Sequence, residues 1–239
     1  MRGDRIIVQE KHHRAAAEIS QLLLPRVAEL SGRFAVSIGG ESGSGKSELA
    51  LAIAKALNEH GIGTLILQQD DYFVSPPRTN DALRREDIDR VGPGEVNLAL
   101  LDEHVWAIVN GANRIEKPLV VYQEDLITRE ALSLSGVDVV IAEGTYTTLL
   151  KSVHSRVFLD STYQETRATR LKRGREPADP FLERVLQIEH SIISRNKFLA
   201  DIIVSSSFLV RTQVPSGESA SSPTEDGNLS EGVIAGQNP

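Results

Sequence analysis

The densest chemistry in the chain lies in one short stretch, Gly39-Gly40-Glu41-Ser42-Gly43-Ser44-Gly45-Lys46-Ser47-Glu48. Gly40 to Ser47 match the spacing G-x-x-x-x-G-K-[ST], which suits the grip of a nucleotide polyphosphate. Glycines let successive backbone N–H groups curl around phosphate oxygens, because a Cβ would block both the dihedrals and the close approach. A helix starting directly after the loop adds the partial positive charge of its N-terminus. Gly40, Glu41, Ser42, Gly43, Ser44, Gly45, Lys46, Ser47 and Glu48 are therefore the expected ATP-binding residues. Lys46 is placed to reach the β- and γ-phosphates and the Ser47 hydroxyl to ligate Mg²⁺. At average glycine usage a chance match in a chain of this length is roughly a one-in-a-hundred event.

Three further groups have types and positions that complement such a loop. Val137-Asp-Val-Val-Ile-Ala-Glu143 puts an acid at the carboxyl end of an apolar strand, where open α/β sheets bind ligands. Glu143 can ligate the magnesium ion or orient its water. Asp70 and Asp71 end another apolar run, and one of them can accept the proton of a substrate hydroxyl; Asp70 is also a candidate around the metal. Arg167 to Arg175 (RATRLKRGR) carry five cations in nine residues. Arg167, Arg170, Arg173 and Arg175 suit a lid closing over a transferring phosphoryl group, with a solvated helix face or a nucleic-acid patch as the alternatives.

The elements that must hold these groups alternate along the chain. Residues 34–38, 63–73, 137–144, 154–160 and 200–204 read as strands and 117–123 as extended, interleaved with helical patterns at 47–60, 96–111, 161–174 and 180–200. Gly61 is placed to end the first of these helices. The expectation is an α/β chain of P-loop NTPase type, three layers (α/β/α) around a mainly parallel sheet. Residues 74–95, with Pro76, Pro77, Pro93 and Gly94 among them, read as irregular. Three regions follow. Residues 1–32 form an N-terminal extension with an amphipathic helix, His12 and His13 on its surface, and 33–210 form the P-loop domain. Residues 211–239, polar and rich in Gly, Ser and Pro, form a disordered tail.

Composition removes several function classes. The chain has 239 residues, a net charge of −7 and no cysteine, which excludes disulfides and cysteine-ligated metals and disfavours a general nucleic-acid binder. No apolar run approaches the ~18 residues of a membrane span, and the N-terminus lacks signal-peptide features. A cytoplasmic protein acting on a small hydroxyl-bearing molecule is expected, without nucleic-acid or membrane partners; oligomeric state is not readable.

Over residues 33–205 the chain resembles the uridine kinase and phosphoribulokinase group of P-loop kinases. The resemblance runs through GGESGSGKS, QQDDYF, KPLVVYQEDLITRE, VVIAEG, FLDSTYQETRATRLKRGRE and KFLADIIV, in the family's order. It implies ATP and Mg²⁺ as cofactors, Asp70 as catalytic base, Glu143 at the metal, and the arginines at 167, 170, 173 and 175 as lid charges. It also implies Asp89, Tyr122, Arg129 and Tyr72 as acceptor contacts.

The chain departs from the family where the acceptor is read. The histidine that reads a pyrimidine falls on Ile127, and a neighbouring aromatic falls on Glu124. A site built to hydrogen-bond a substrate edge discriminates by orders of magnitude, so this loss removes pyrimidine selectivity. The expectation is a kinase whose acceptor is neither uridine nor cytidine. A sugar, glycerate or pantothenate kinase on the same scaffold, or a non-catalytic ATP-binding regulator, are the alternatives.

Overall fold

Alternation along a single central strand sorts the core into two halves. The computed structural model describes residues 6–173 and 179–213. Helix α1 (Glu10–Glu29) precedes β1 (Phe34–Gly40), α2 (Lys46–Glu59) and β2 (Thr64–Gln68). A 3-10 turn (Gln69–Tyr72) leads on to α3 (Pro77–Glu86), α4 (Leu98–Val109), β3 (Arg114–Val121) and β4 (Leu126–Ser133). Then come β5 (Val139–Glu143), β6 (Ser155–Asp160), α5 (Arg167–Arg173), α6 (Pro180–Ile193), β7 (Ile202–Ser205) and β8 (Val210–Thr212).

The main sheet has six strands in the order β2-β5-β1-β6-β7-β8. All its pairings are parallel except that of β7 with β8. β1 and β5 are buried along their whole length, so both read as unbroken apolar runs. Phe34, Val36 and Ile38 of β1 point to one face, packing with Ile19 and Leu23 of α1 and Leu49, Ile53 and Leu57 of α2. Ala35 takes the other face, with Val140 and Phe158, against Leu101, Val105 and Ile108 of α4. Helices thus cover both faces, and the three-layer α/β/α expectation holds. The register sets Ile38 and Gln68 on either side of Glu143, so β1, β5 and β2 present their carboxyl ends at one edge.

Several local expectations are corrected. Residues 77–86, expected to be irregular, form α3; Pro77 stands at its start, where the missing N–H costs nothing. β3 and β4 form a separate antiparallel hairpin. The helix expected over 180–200 ends at Ile193 and continues as a 3-10 turn. His12 is buried rather than on the surface and meets the Phe208 ring edge-on. Helix α1 itself belongs to the first core half, and β8 carries the sheet through Thr212, past the 210/211 boundary; residues 214–239 lie outside the described ones. Gly61 ends α2 as expected, at φ 77° with its amide donating to the Asn58 carbonyl. No described helix is long and apolar enough to cross a membrane.

Candidate active site

The loop between β1 and α2 has the backbone that its glycines permit. Gly43 and Gly45 sit at φ 75° and 97°, in the left-handed region that L side chains avoid. A Cβ on Gly40 would come within 2.8 Å of the Leu159 carbonyl oxygen. Gly45 is the N-cap of α2, so the loop runs directly into a helix N-terminus. Lys46 bends back over it and donates to the Glu41 carbonyl at 2.8 Å. The Ser44 hydroxyl is buried with no hydrogen-bond partner in the protein. Buried polar groups are nearly always partnered, so a ligand or water is expected there. Glu48 is buried in the first turn of α2. The Glu41 side chain is buried and hydrogen-bonded within the protein. It accepts from the Tyr163 N–H at 2.6 Å and pairs with His190 Nδ1 at 2.7 Å, tying the loop to the turn before α5 and to α6.

At the strand ends, the Ser47 hydroxyl donates to Glu143 Oε1 at 3.0 Å, and the Gln68 amide approaches the same oxygen at 3.4 Å. Burial pushes the Glu143 carboxyl up to about 7, and the nearby Asp70 charge adds to the shift; Lys46, Ser47 and Gln68 oppose it. Gly144 lets β5 end close to β2, since a Cβ there would overlap the Gln69 side chain. The two aspartates then separate. Asp71 is buried, paired with Lys117 Nζ at 2.6 Å and accepting from the Val120 N–H at 3.1 Å, which fastens the β3–β4 hairpin to the sheet. Asp70 stands in the wall of the cavity in front of the loop.

The start of α5 lies directly on the loop. The Thr166 hydroxyl donates to the Ser42 carbonyl at 3.0 Å. Arg170 Cγ lies where a Gly43 side chain would stand, 2.7 Å from the built Cβ. The Arg170 Nε is buried without a partner. Arg167 lines the same cavity and pairs with Glu183 at 3.4 Å. The Arg173 side chain and Arg175 lie outside the described residues.

Opposite the loop, α3 and α6 complete the cavity, to which Tyr122 also contributes. Asp125, at φ 50° in the hairpin turn, holds the start of α3 by accepting from the Arg78 and Thr79 amides. Arg84 joins the two helices, reaching Glu95 at 2.5 Å and Glu189 at 3.2 Å, while Asn80 donates to Glu95 at 2.8 Å. The other expected acceptor contacts fall elsewhere. Tyr72 is buried with its hydroxyl against His104, Arg129 is exposed and paired with Glu116, and Asp89 is exposed on a 3-10 turn. Neither Ile127 nor Glu124 is among the residues lining the cavity.

Sequence reasoning missed Asn80, Arg84, Glu95 and Glu189. Glu189 left a readable signal, because Leu182, Val185, Leu186, Glu189 and Ile193 make one helical stripe facing inwards. A carboxylate on a buried stripe asks for a partner. Arg84 gave none, since its segment was not read as a helix.

The donor set suits magnesium. The Ser47 hydroxyl and the Glu143 carboxylate are hard oxygen ligands beside the loop, and Mg²⁺ is commonly held by one or two such groups together with substrate phosphates and water. Among the described residues no group of three or more His, Asp or Glu side chains forms an all-protein metal cage.

The model of the phosphoribulokinase / uridine kinase family matches residues 35–177. The bifunctional alpha-galactosidase/sucrose kinase AgaSK of Mediterraneibacter gnavus is 30% identical over 186 residues, 72% of this chain but only 20% of that protein. The uridine kinase of Clostridium novyi is 28% identical over 71% of this chain and 85% of its own length. Phosphoribulokinase from Rhodobacter spheroides superposes with a TM-score of 0.61 at 11% identity, over 78% of this chain and 82% of that one, a likeness of fold.

Proposed function

The chain belongs to the phosphoribulokinase / uridine kinase family, and on that premise we propose that it is an ATP-dependent kinase. It moves the γ-phosphoryl group to a hydroxyl of a small molecule that is neither uridine nor cytidine. The carrying observation is the junction at the sheet edge. A glycine loop carrying Lys46 and Ser47 meets the strand-end Glu143, whose charge feels Asp70, and Asp70 shares a cavity with Arg170, which lies against Gly43 of the loop.

Each side chain has a distinct task. The loop amides and Lys46 neutralise the β- and γ-phosphates. Ser47 and Glu143 would hold magnesium, which when bound would draw charge from the phosphate oxygens. Asp70 orients the acceptor hydroxyl and takes its proton. Arg170, held against Gly43, meets the negative charge of the transferring group. Transfer is then chiefly positioning and charge stabilisation, with turnover of order ~1–100 per second on the right acceptor.

Relatives are named for uridine and for sucrose, so membership leaves the acceptor open. The reading is tested by titrating the full chain with Mg·ATP, then measuring acceptor-dependent ADP release with nucleosides, sugars, polyols and small acids. Saturable nucleotide binding with turnover on a non-pyrimidine acceptor is expected. An absence of saturable binding would remove the basis of the assignment.

A further inference from the structure

We propose that the acceptor is an uncharged polyhydroxylated molecule, a sugar or polyol bearing neither phosphate nor carboxylate, and that the Arg84–Glu189 pair selects it. The proposal rests on the kinase reading and concerns the far wall of the same cavity.

The charges of the described residues on that wall oppose an anion. Among the described residues, the cations on the acceptor side are already opposed, Arg84 by Glu95 and Glu189 and Arg167 by Glu183. Asp70, Asp81, Glu183 and Glu189 all line the space. Asp81 is paired outwards with Arg85 at 2.8 Å. A phosphate or carboxylate on the acceptor would therefore lose its water and meet carboxylates. Burying a charge without a partner is among the most expensive steps in recognition. Arg170, whose Nε lacks a partner, sits against the phosphate loop, where it serves the nucleotide end.

The same wall suits hydroxyl groups. Each hydroxyl both donates and accepts. A guanidinium beside a carboxylate offers donors and acceptors side by side, matching neighbouring hydroxyls without a net charge. Glu189 and Arg84 are fixed for this task, since Glu95 holds the Arg84 fork and accepts from Asn80 and from the Gly92 amide. Behind the wall, the Tyr146 hydroxyl is buried with no hydrogen-bond partner in the protein, next to the cavity-lining Thr145. Such a group in a native fold calls for a ligand or a water. Leu182, Val185 and Leu186 line the same cavity as Arg84 and Glu189 and supply an apolar strip there, suited to the C–H face of a sugar.

In the transfer, the acceptor oxygen forms a bond to the γ-phosphorus as the bond from that phosphorus to the β–γ bridging oxygen breaks. ADP leaves with the bridging electrons, and the hydroxyl proton passes to Asp70 and then to solvent.

The test pairs neutral compounds with their charged counterparts: glycerol with glycerate, glucose with gluconate, and free hexoses and pentoses with their phosphates, alongside nucleosides. Mg·ATP binding is titrated separately on the same protein. At least one neutral polyol or sugar should be phosphorylated with kcat/KM ~100-fold or more above its charged counterpart. Glu189→Gln should raise the KM of that acceptor at least ~10-fold with little change in kcat or in ATP affinity, and should narrow the discrimination against the matching carboxylate. A merely structural glutamate would not move that ratio. Preferred use of an acid, a phosphorylated sugar or a nucleoside overturns the proposal. Turnover of no neutral compound also overturns it, and intact ATP binding then leaves the nucleotide site standing. If ATP binding itself fails, the kinase reading falls first.

Discussion

The Ser47 hydroxyl donates to Glu143 Oε1 at 3.0 Å, joining the first turn of α2 to the end of β5. Two segments 96 residues apart thus bring hard oxygen donors together beside the phosphate loop. This junction requires the β1–β5 register that sets Ile38 beside Glu143.

The pH response of the nucleotide-free protein should reveal that carboxylate. Glu143 is pushed from an ordinary 4.5 up to about 7, so between those values the folded state holds a proton that the unfolded state has released. Its stabilising contribution is complete below about 4.5 and is lost as pH rises through about 7. Glu143→Gln removes this slope and raises the melting temperature of the magnesium-free protein at pH 8, while metal-dependent turnover collapses. Thermal melts of both proteins from pH 5 to 8 check it; parallel curves would show that Glu143 ionises as an ordinary glutamate.

Adjacent aspartates should fail in different ways. Asp70→Asn should cut transfer by roughly 10²–10⁴-fold with ATP affinity nearly intact. Asp71→Asn leaves the buried Lys117 without its nearest counter-charge and should cost about 3 kcal/mol of stability. Turnover assays and denaturant titrations on both variants separate the roles. Equal losses of stability would count against them.

Lys46→Ala removes the ammonium group folded over the loop. ATP binding should weaken by roughly 10–100-fold, the value of one charge-assisted contact, and phosphoryl transfer should become undetectable in the same assay. Turnover at the wild-type rate would place the active site elsewhere.

Arginines give a paired control. Arg170→Ala removes the guanidinium lying against Gly43 and should lower kcat by roughly 10²–10³-fold. Arg129→Ala removes an exposed pair with Glu116 on the hairpin; such surface pairs contribute at most ~1 kcal/mol, and turnover should not change. Steady-state kinetics on the two variants decide whether the lid or the hairpin carries the charge.

Much of the scaffold was legible because its signals are local. The apolar runs of β1 and β5 announce strands buried on both faces, and Gly61 announces the end of α2. Helix α3 was hidden because Pro76 and Pro77 read as breakers. In the fold, Pro77 opens the helix, and Asp125 from a distant turn supplies the partners for its first amides.

The sequence by itself determined the phosphate loop, the parallel sheet and the edge where the acids gather, since each is written in contiguous residues with a fixed period. Only the tertiary structure decided which aspartate faces the cavity, which arginine meets the loop, and that Glu189 reaches Arg84 across 105 residues. Those outcomes depend on where separate helices come to rest, and no local pattern encodes the distance between two of them.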